Sequence, residues 1–185
     1  TNLVKEKFNS ALIAVCEGQA LDIEFESLSK LKLSDYLKMI NLKTAYMLGL
    51  SSELGAIISG ADKSTSSIFK EFGLLLGKAF QLQDDLLEII SSQERMGKTL
   101  MSDIALNKKT YLMIKAEQQF PDQLNQIYIN YKKDNTKINH EVRDLLINSG
   151  IVNDCKNYIN STYEDISKSL IDLDIKKGNL HTFIS

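Results

Sequence analysis

The sequence predicts an all-α protein, and three observations carry that prediction. Its 185 residues hold one proline and nine glycines, too few breakers for a sandwich or barrel that turns about every 8 to 12 residues. Apolar residues recur three and four apart over long stretches, the repeat of a single helix face. Apolar residues make up 43% of the chain and charged residues 25%, the balance of a domain with a sizeable core rather than of a disordered chain. Residues 1–185 are therefore expected to form one all-α domain of about seven or eight helices.

The elements follow in order. Val4, Phe8, Ala11, Leu12 and Val15 share one face of a first helix that is expected to end near Gly18. Ser34 is a good N-cap for a second, which buries Leu37, Ile40, Thr44 and Met47. Gly49-Leu50-Ser51-Ser52 is read as a break, followed by a short apolar helix from Glu53 to Ile58 and a loop from Ser59 to Ser64. The longest helix is expected from about Ser66 to Ser91, and Ser92 to Lys108 shows no period and reads as a loop. A helix over Leu112 to Gln119 precedes Pro121, which suits the first turn of the next, running to about Lys132. Asn139 to Asn148 is closed by Gly150, and Val152, Cys155, Ile159, Ile166, Leu170 and Leu173 line one face of the last helix.

Several function classes find little footing. Lys plus Arg is 22 against 24 Asp plus Glu, a formal charge of −2, and there is no tryptophan. Without a basic stripe, nucleic-acid binding has no electrostatic base. Cys16 and Cys155 stand far apart with no paired histidines, so they are expected to be reduced, buried thiols rather than a zinc site. No apolar run approaches the roughly 18 residues of a membrane span, and the start lacks a secretory pattern. A cytoplasmic protein is expected.

On a wheel of about 100° per residue, Leu75, Leu76, Ala79, Gln83, Leu86, Leu87 and Ile90 cluster with Phe72 as the expected core face of the longest helix. Gly73, Gly77, Gln81, Asp84 and Glu88 form a second stripe, roughly 100° to 180° away. Two glycines inside a helix cost about 1 kcal/mol each relative to alanine, so that face has a packing or binding purpose. One account is close helix packing. The other is a ligand that passes the bare backbone and meets an amide and two carboxylates, oxygen donors of the kind magnesium takes together with phosphate.

Those residues carry a resemblance. Phe72-Gly73-Leu74-Leu75-Leu76-Gly77-Lys78-Ala79-Phe80-Gln81-Leu82-Gln83-Asp84-Asp85-Leu86-Leu87-Glu88 resembles the second aspartate-rich region of the trans-isoprenyl diphosphate synthases, the polyprenyl synthetase family. Gly18-Gln19-x-x-Asp22 and Lys43-Thr44 precede it, and Gly97-Lys98, Asp103-Ile104 and Lys108 follow it, all in the family's order. The resemblance implies the C-terminal portion of an isoprenoid-synthase-type helical bundle. It implies a magnesium-dependent prenyltransferase of isoprenoid biosynthesis, condensing an allylic diphosphate with isopentenyl diphosphate into a geranyl, farnesyl, geranylgeranyl or longer trans-polyprenyl diphosphate. By position, Asp84 is the principal magnesium ligand on this helix, with Asp85 and Glu88 coordinating directly or through water. The resemblance likewise implies that Lys43, Thr44, Gln81, Lys98 and Lys108 bind the allylic diphosphate and that Lys98 and Asp84 carry the catalysis. A homodimer is expected.

The sequence departs from the family pattern at three places. Glu88 stands where the family usually has a third aspartate, and Met101 where relatives often have glycine. The first aspartate-rich motif is absent before Gly18, so 1–185 is read as a polyprenyl synthetase domain lacking its N-terminal part. Taken alone, these residues are expected to be inactive. The alternative is a non-catalytic helical subunit or relic of the same fold that acts through dimerisation, with a terpene cyclase a more distant third.

Overall fold

The computed structural model describes residues 2–90, 108–132 and 134–171. They form eight α-helices and one π-helical segment: α1 (Asn2–Glu26), α2 (Leu33–Ile40), the π segment (Asn41–Ala45), α3 (Tyr46–Ile58), α4 (Lys63–Ile90), α5 (Tyr111–Gln119), α6 (Pro121–Asn130), α7 (Asn135–Asn148) and α8 (Ile151–Ile171). Among the described residues there is no strand, as the shortage of breakers predicts. No described helix is long and apolar enough to cross a membrane. The expected loop over Ser92 to Lys108 lies almost wholly outside the described residues, as do Lys98, Met101 and Leu173.

Local chemistry accounts for several helix ends. Asp62 Oδ1 accepts from Thr65 N–H at 2.7 Å, Thr110 Oγ1 from Met113 N–H at 3.3 Å, and Asp134 Oδ1 from Lys137 N–H at 3.1 Å. Each side chain satisfies one of the donors that a helix leaves open at its start. Pro121 sits in the first turn of α6, where its missing N–H costs nothing. Gly150, with φ +87°, ends α7 in the left-handed conformation that glycine adopts without strain.

The 28 residues of α4 make it the axis of the fold, flanked by α3 on one side and α8 on the other. Its C-terminal half meets α2, α5 and α8 in the main core, which includes Tyr36, Ile40, Leu82, Leu86, Ile89, Leu112, Ile114, Leu146, Ile151 and Cys155. The α1–π–α3–α4 side is built differently, from small residues at close range. A Cβ added at Gly77 would lie 2.4 Å from Ala45 Cα, and one added at Gly73 2.5 Å from Leu48 O.

Several expectations are corrected here. Gly73 and Gly77 serve helix packing, not ligand approach, because backbone already fills the space beside them. The buried face of α4 is rotated from the expected one: Leu82, Asp85 and Ile89 are buried, whereas Gln83 and Leu87 are exposed. Partners now stand on two sides of the helix, which a single-face wheel does not anticipate. α1 continues past Gly18 to Glu26, and α3 runs unbroken through Gly49, since both glycines are contact points rather than stops. α2 starts at Leu33 with Lys32 at the N-cap position and no side-chain cap, so Ser34 lies inside the first turn. Cys16 is exposed while Cys155 is buried.

Candidate active site

Lys43 and Thr44 belong to the π segment between α2 and α3, an insertion type that often falls at functional positions. Their placement depends on α1. A Cβ at Gly18 would lie 2.4 Å from Lys43 N, so only glycine lets that backbone rest on the helix. One turn later, Asp22 Oδ2 accepts from Lys43 Nζ at 2.5 Å. The spacing of Gly18 and Asp22 thus both seats the lysine and neutralises it. An ammonium has three donors, so pairing with one carboxylate leaves it able to meet an anion.

A chain of hydrogen bonds then crosses from the π segment to α4 and back to α2. Thr44 Oγ1 donates to Gln81 Oε1 at 2.8 Å, and Gln81 Nε2 donates to Asp85 Oδ1 at 2.9 Å. Tyr36 Oη donates to Asp85 Oδ2 at 2.6 Å. Asp85 is only 7% exposed and Tyr36 1%, and buried polar groups of this kind depend on such partners.

The third contribution comes from the approach to α5. Lys108, Lys109 and Thr110 line one pocket with Asp22, Tyr36, Met39, Ile40, Lys43, Gln81 and Asp85. The Lys109 side chain is 3% exposed and Lys109 Nζ donates to Glu117 Oε1 at 2.6 Å, so that charge is compensated from within α5. Three lysines, one amide and two aspartates from four separate stretches therefore converge on a single pocket. Such a mixture suits a multiply charged anion with its counter-ion.

Of the residues singled out from sequence, Lys43, Gln81, Asp85 and Lys108 line this pocket, and Thr44 joins through Gln81. Asp84 is exposed and Glu88 partly buried one turn on; neither is in the lining. Lys98 lies outside the described residues. Tyr36 escaped the sequence reading, and Lys109, which stands there only within the run Asn107-Lys108-Lys109-Thr110, was given no site role. Lys109 had a signal in its neighbour Lys108, whereas nothing local marks Tyr36, whose partner is 49 residues away.

Among the described residues no group of three or more His, Cys, Asp or Glu side chains is gathered into a ligand cage. Asp84, Asp85 and Glu88 share one helix and offer oxygen atoms only. That donor set fits magnesium, which is commonly bound through one or two carboxylates and completed by water and phosphate oxygen.

The chain is 43% identical over 108 residues to the geranylgeranyl diphosphate synthase of Sulfolobus acidocaldarius, covering 58% of this chain and 33% of that one. It is 39% identical over 105 residues to the geranylfarnesyl diphosphate synthase of Natronomonas pharaonis, covering 57% of this chain and 31% of that one. Among solved structures, the polyprenyl synthase of Caulobacter crescentus, complexed with calcium and isoprenyl diphosphate, superposes with a TM-score of 0.83 at 25% identity, covering 92% of this chain and 53% of that one. The chain spans about a third of the length of these curated relatives. The polyprenyl synthetase family model matches residues 2–146; with most of its length inside that match and the same helical bundle, the chain belongs to the polyprenyl synthetase family.

Proposed function

We propose that residues 1–185 are the diphosphate-binding, C-terminal part of a trans-isoprenyl diphosphate synthase. The enzyme joins an allylic diphosphate to isopentenyl diphosphate and works as a homodimer. The observation that carries this is the convergence of Lys43, Gln81, Asp85 and Lys108 on one pocket of α4, in a chain whose relatives are named for such synthases.

The chemical demand is the departure of a diphosphate from an allylic carbon, followed by attack of the isopentenyl double bond and loss of a proton. Lys43, Lys108 and the Gln81 amide would face the oxygens on which charge grows. Donors held there before the reaction need little reorganisation. Asp84 and Glu88 would hold magnesium on their side of α4, with Asp85 adjoining. The metal would supply further charge stabilisation to the phosphate oxygens. Lys98 would add an ammonium beside the same group. A second set of carboxylates and the isopentenyl diphosphate site would come from the part of a complete synthase that this chain lacks.

The test is incorporation of labelled isopentenyl diphosphate. The 185 residues alone should give none, and supplying the upstream half of a synthase, in the same chain or as a separate fragment, should restore it. In that active form Asp84→Ala should lower turnover by orders of magnitude. Lys43→Ala and Lys98→Ala should weaken the allylic substrate strongly, with Lys98→Arg recovering part of the loss. Lys132→Ala, on an exposed position, should stay within a few-fold of the parent. Equal, small effects at all of these positions would sink the assignment.

A further inference from the structure

We infer that Tyr36 and Asp85 form a positioning pair for Gln81, fixing which way its amide faces and so making that wall of the pocket a hydrogen-bond donor to a diphosphate oxygen. The inference rests on the diphosphate reading of the pocket and adds to it a division of labour between two adjacent aspartates.

Gln81 could face either way as far as Thr44 is concerned, because a hydroxyl both donates and accepts. Asp85 removes that freedom. An ionised carboxylate only accepts, so the atom opposite Asp85 Oδ1 has to be Nε2, at 2.9 Å, and Oε1 then turns to the Thr44 hydroxyl at 2.8 Å. The amide nitrogen carries two hydrogens. One is committed to Asp85, and the other remains for the pocket that Gln81 lines.

Asp85 is itself held by Tyr36, whose hydroxyl donates to the other carboxylate oxygen at 2.6 Å. That contact ties α2 to α4 at the edge of the pocket and fixes the plane of the carboxylate. Asp84 and Asp85 are neighbours in sequence but point about 100° apart around the helix. The first is exposed and the second buried. Their tasks differ accordingly: Asp84 faces outward where a cation can reach it, and Asp85 orients an amide.

The experiment titrates the 15N-labelled 185-residue chain with inorganic pyrophosphate in excess magnesium, following the Gln81 side-chain amide by NMR. The variants are Tyr36→Phe, Asp85→Asn, Gln81→Ala and the double Tyr36→Phe/Gln81→Ala. Tyr163→Phe is the control, since its hydroxyl meets Gln83 on the surface at 3.1 Å. Tyr36→Phe and Asp85→Asn should each weaken pyrophosphate about tenfold, the loss of one charge-assisted hydrogen bond. They should also shift the Gln81 amide resonances before any ligand is added. The double variant should bind no more weakly than Gln81→Ala alone, a coupling that general destabilisation would not produce. Additive losses, or Gln81 resonances that stay in place in Tyr36→Phe and Asp85→Asn, would overturn the positioning role. If the parent chain fails to bind pyrophosphate, or if Gln81→Ala and Lys43→Ala bind it like the parent, the diphosphate reading itself falls.

Discussion

Cys155 and Tyr111 both belong to the main core, and burial governs both. It pushes the Cys155 thiol from an ordinary 9.0 up to about 12, with the negative charge of Asp85 adding to it. Burial likewise raises the Tyr111 hydroxyl from 10.0 to about 12, aided by the charges of Cys155 and Asp154. The folded chain keeps both protons where the unfolded chain has begun to release them. Stability from these groups is therefore complete below about pH 9 and is lost as pH rises toward 12. A denaturant midpoint that does not fall across that window would contradict the packing. Because only the thiolate is a nucleophile, a disulfide reagent at pH 8 should titrate one thiol, the exposed Cys16, in the native chain and both in denaturant. The acid side has its own marker in Asp62. Hydrogen bonds from Thr65 lower its carboxyl below 3.8, so its capping stabilises α4 above that pH and is lost as pH falls through the lowered value. Asp62→Ala should reduce the melting temperature at pH 7, and the gap from the parent should close as pH falls below 3.8 through the lowered value.

The elements around the pocket depend on how closely backbones can approach. Gly77→Ala sets two effects against each other. Alanine improves helix propensity by about 1 kcal/mol, but its Cβ would lie 2.4 Å from Ala45 Cα, and backbone cannot move aside as a flexible side chain can. Overpacking costs about 1 to 3 kcal/mol, so the net change should be destabilising, with α3 and the π segment displaced. Urea denaturation that finds Gly77→Ala more stable than the parent would show that this packing is looser than described. Gly55 is the internal control: no atom lies within 4 Å of a Cβ added there, and Gly55→Ala should stabilise by roughly the propensity gain. The contrast explains what was legible along the chain. Helix content followed from apolar spacing, and Pro121 and Gly150 marked their ends through their own backbone chemistry. Gly18, Gly49, Gly73 and Gly77 looked like breaks or ligand openings because their purpose lies in a neighbouring helix.

Among the described residues, α1 carries more exposed large apolar side chains than any other helix. Ile13 is 63% exposed and Phe8 47%, with Leu3, Leu12 and Ile23 also open. Apolar residues concentrated this way mark an association surface or an aggregation liability, and the chain spans 53% of the solved relative that shares its fold. The isolated chain should therefore self-associate in sedimentation velocity, and Phe8→Lys with Leu12→Lys should shift it toward monomer. A monomeric parent would remove the argument. Sequence by itself determined the fold class, the order of most helices and the family. It also named most of the residue types of the candidate site, since short-range spacing and an ordered motif set are properties of the chain read in one dimension. Tertiary structure alone decided the rest. Which face of α4 is buried depends on helices packing from two directions. That Gly18 seats Lys43, that Asp85 faces inward while Asp84 faces out, and that Tyr36 reaches Asp85 from 49 residues away depend on contacts between segments whose separation no local pattern records.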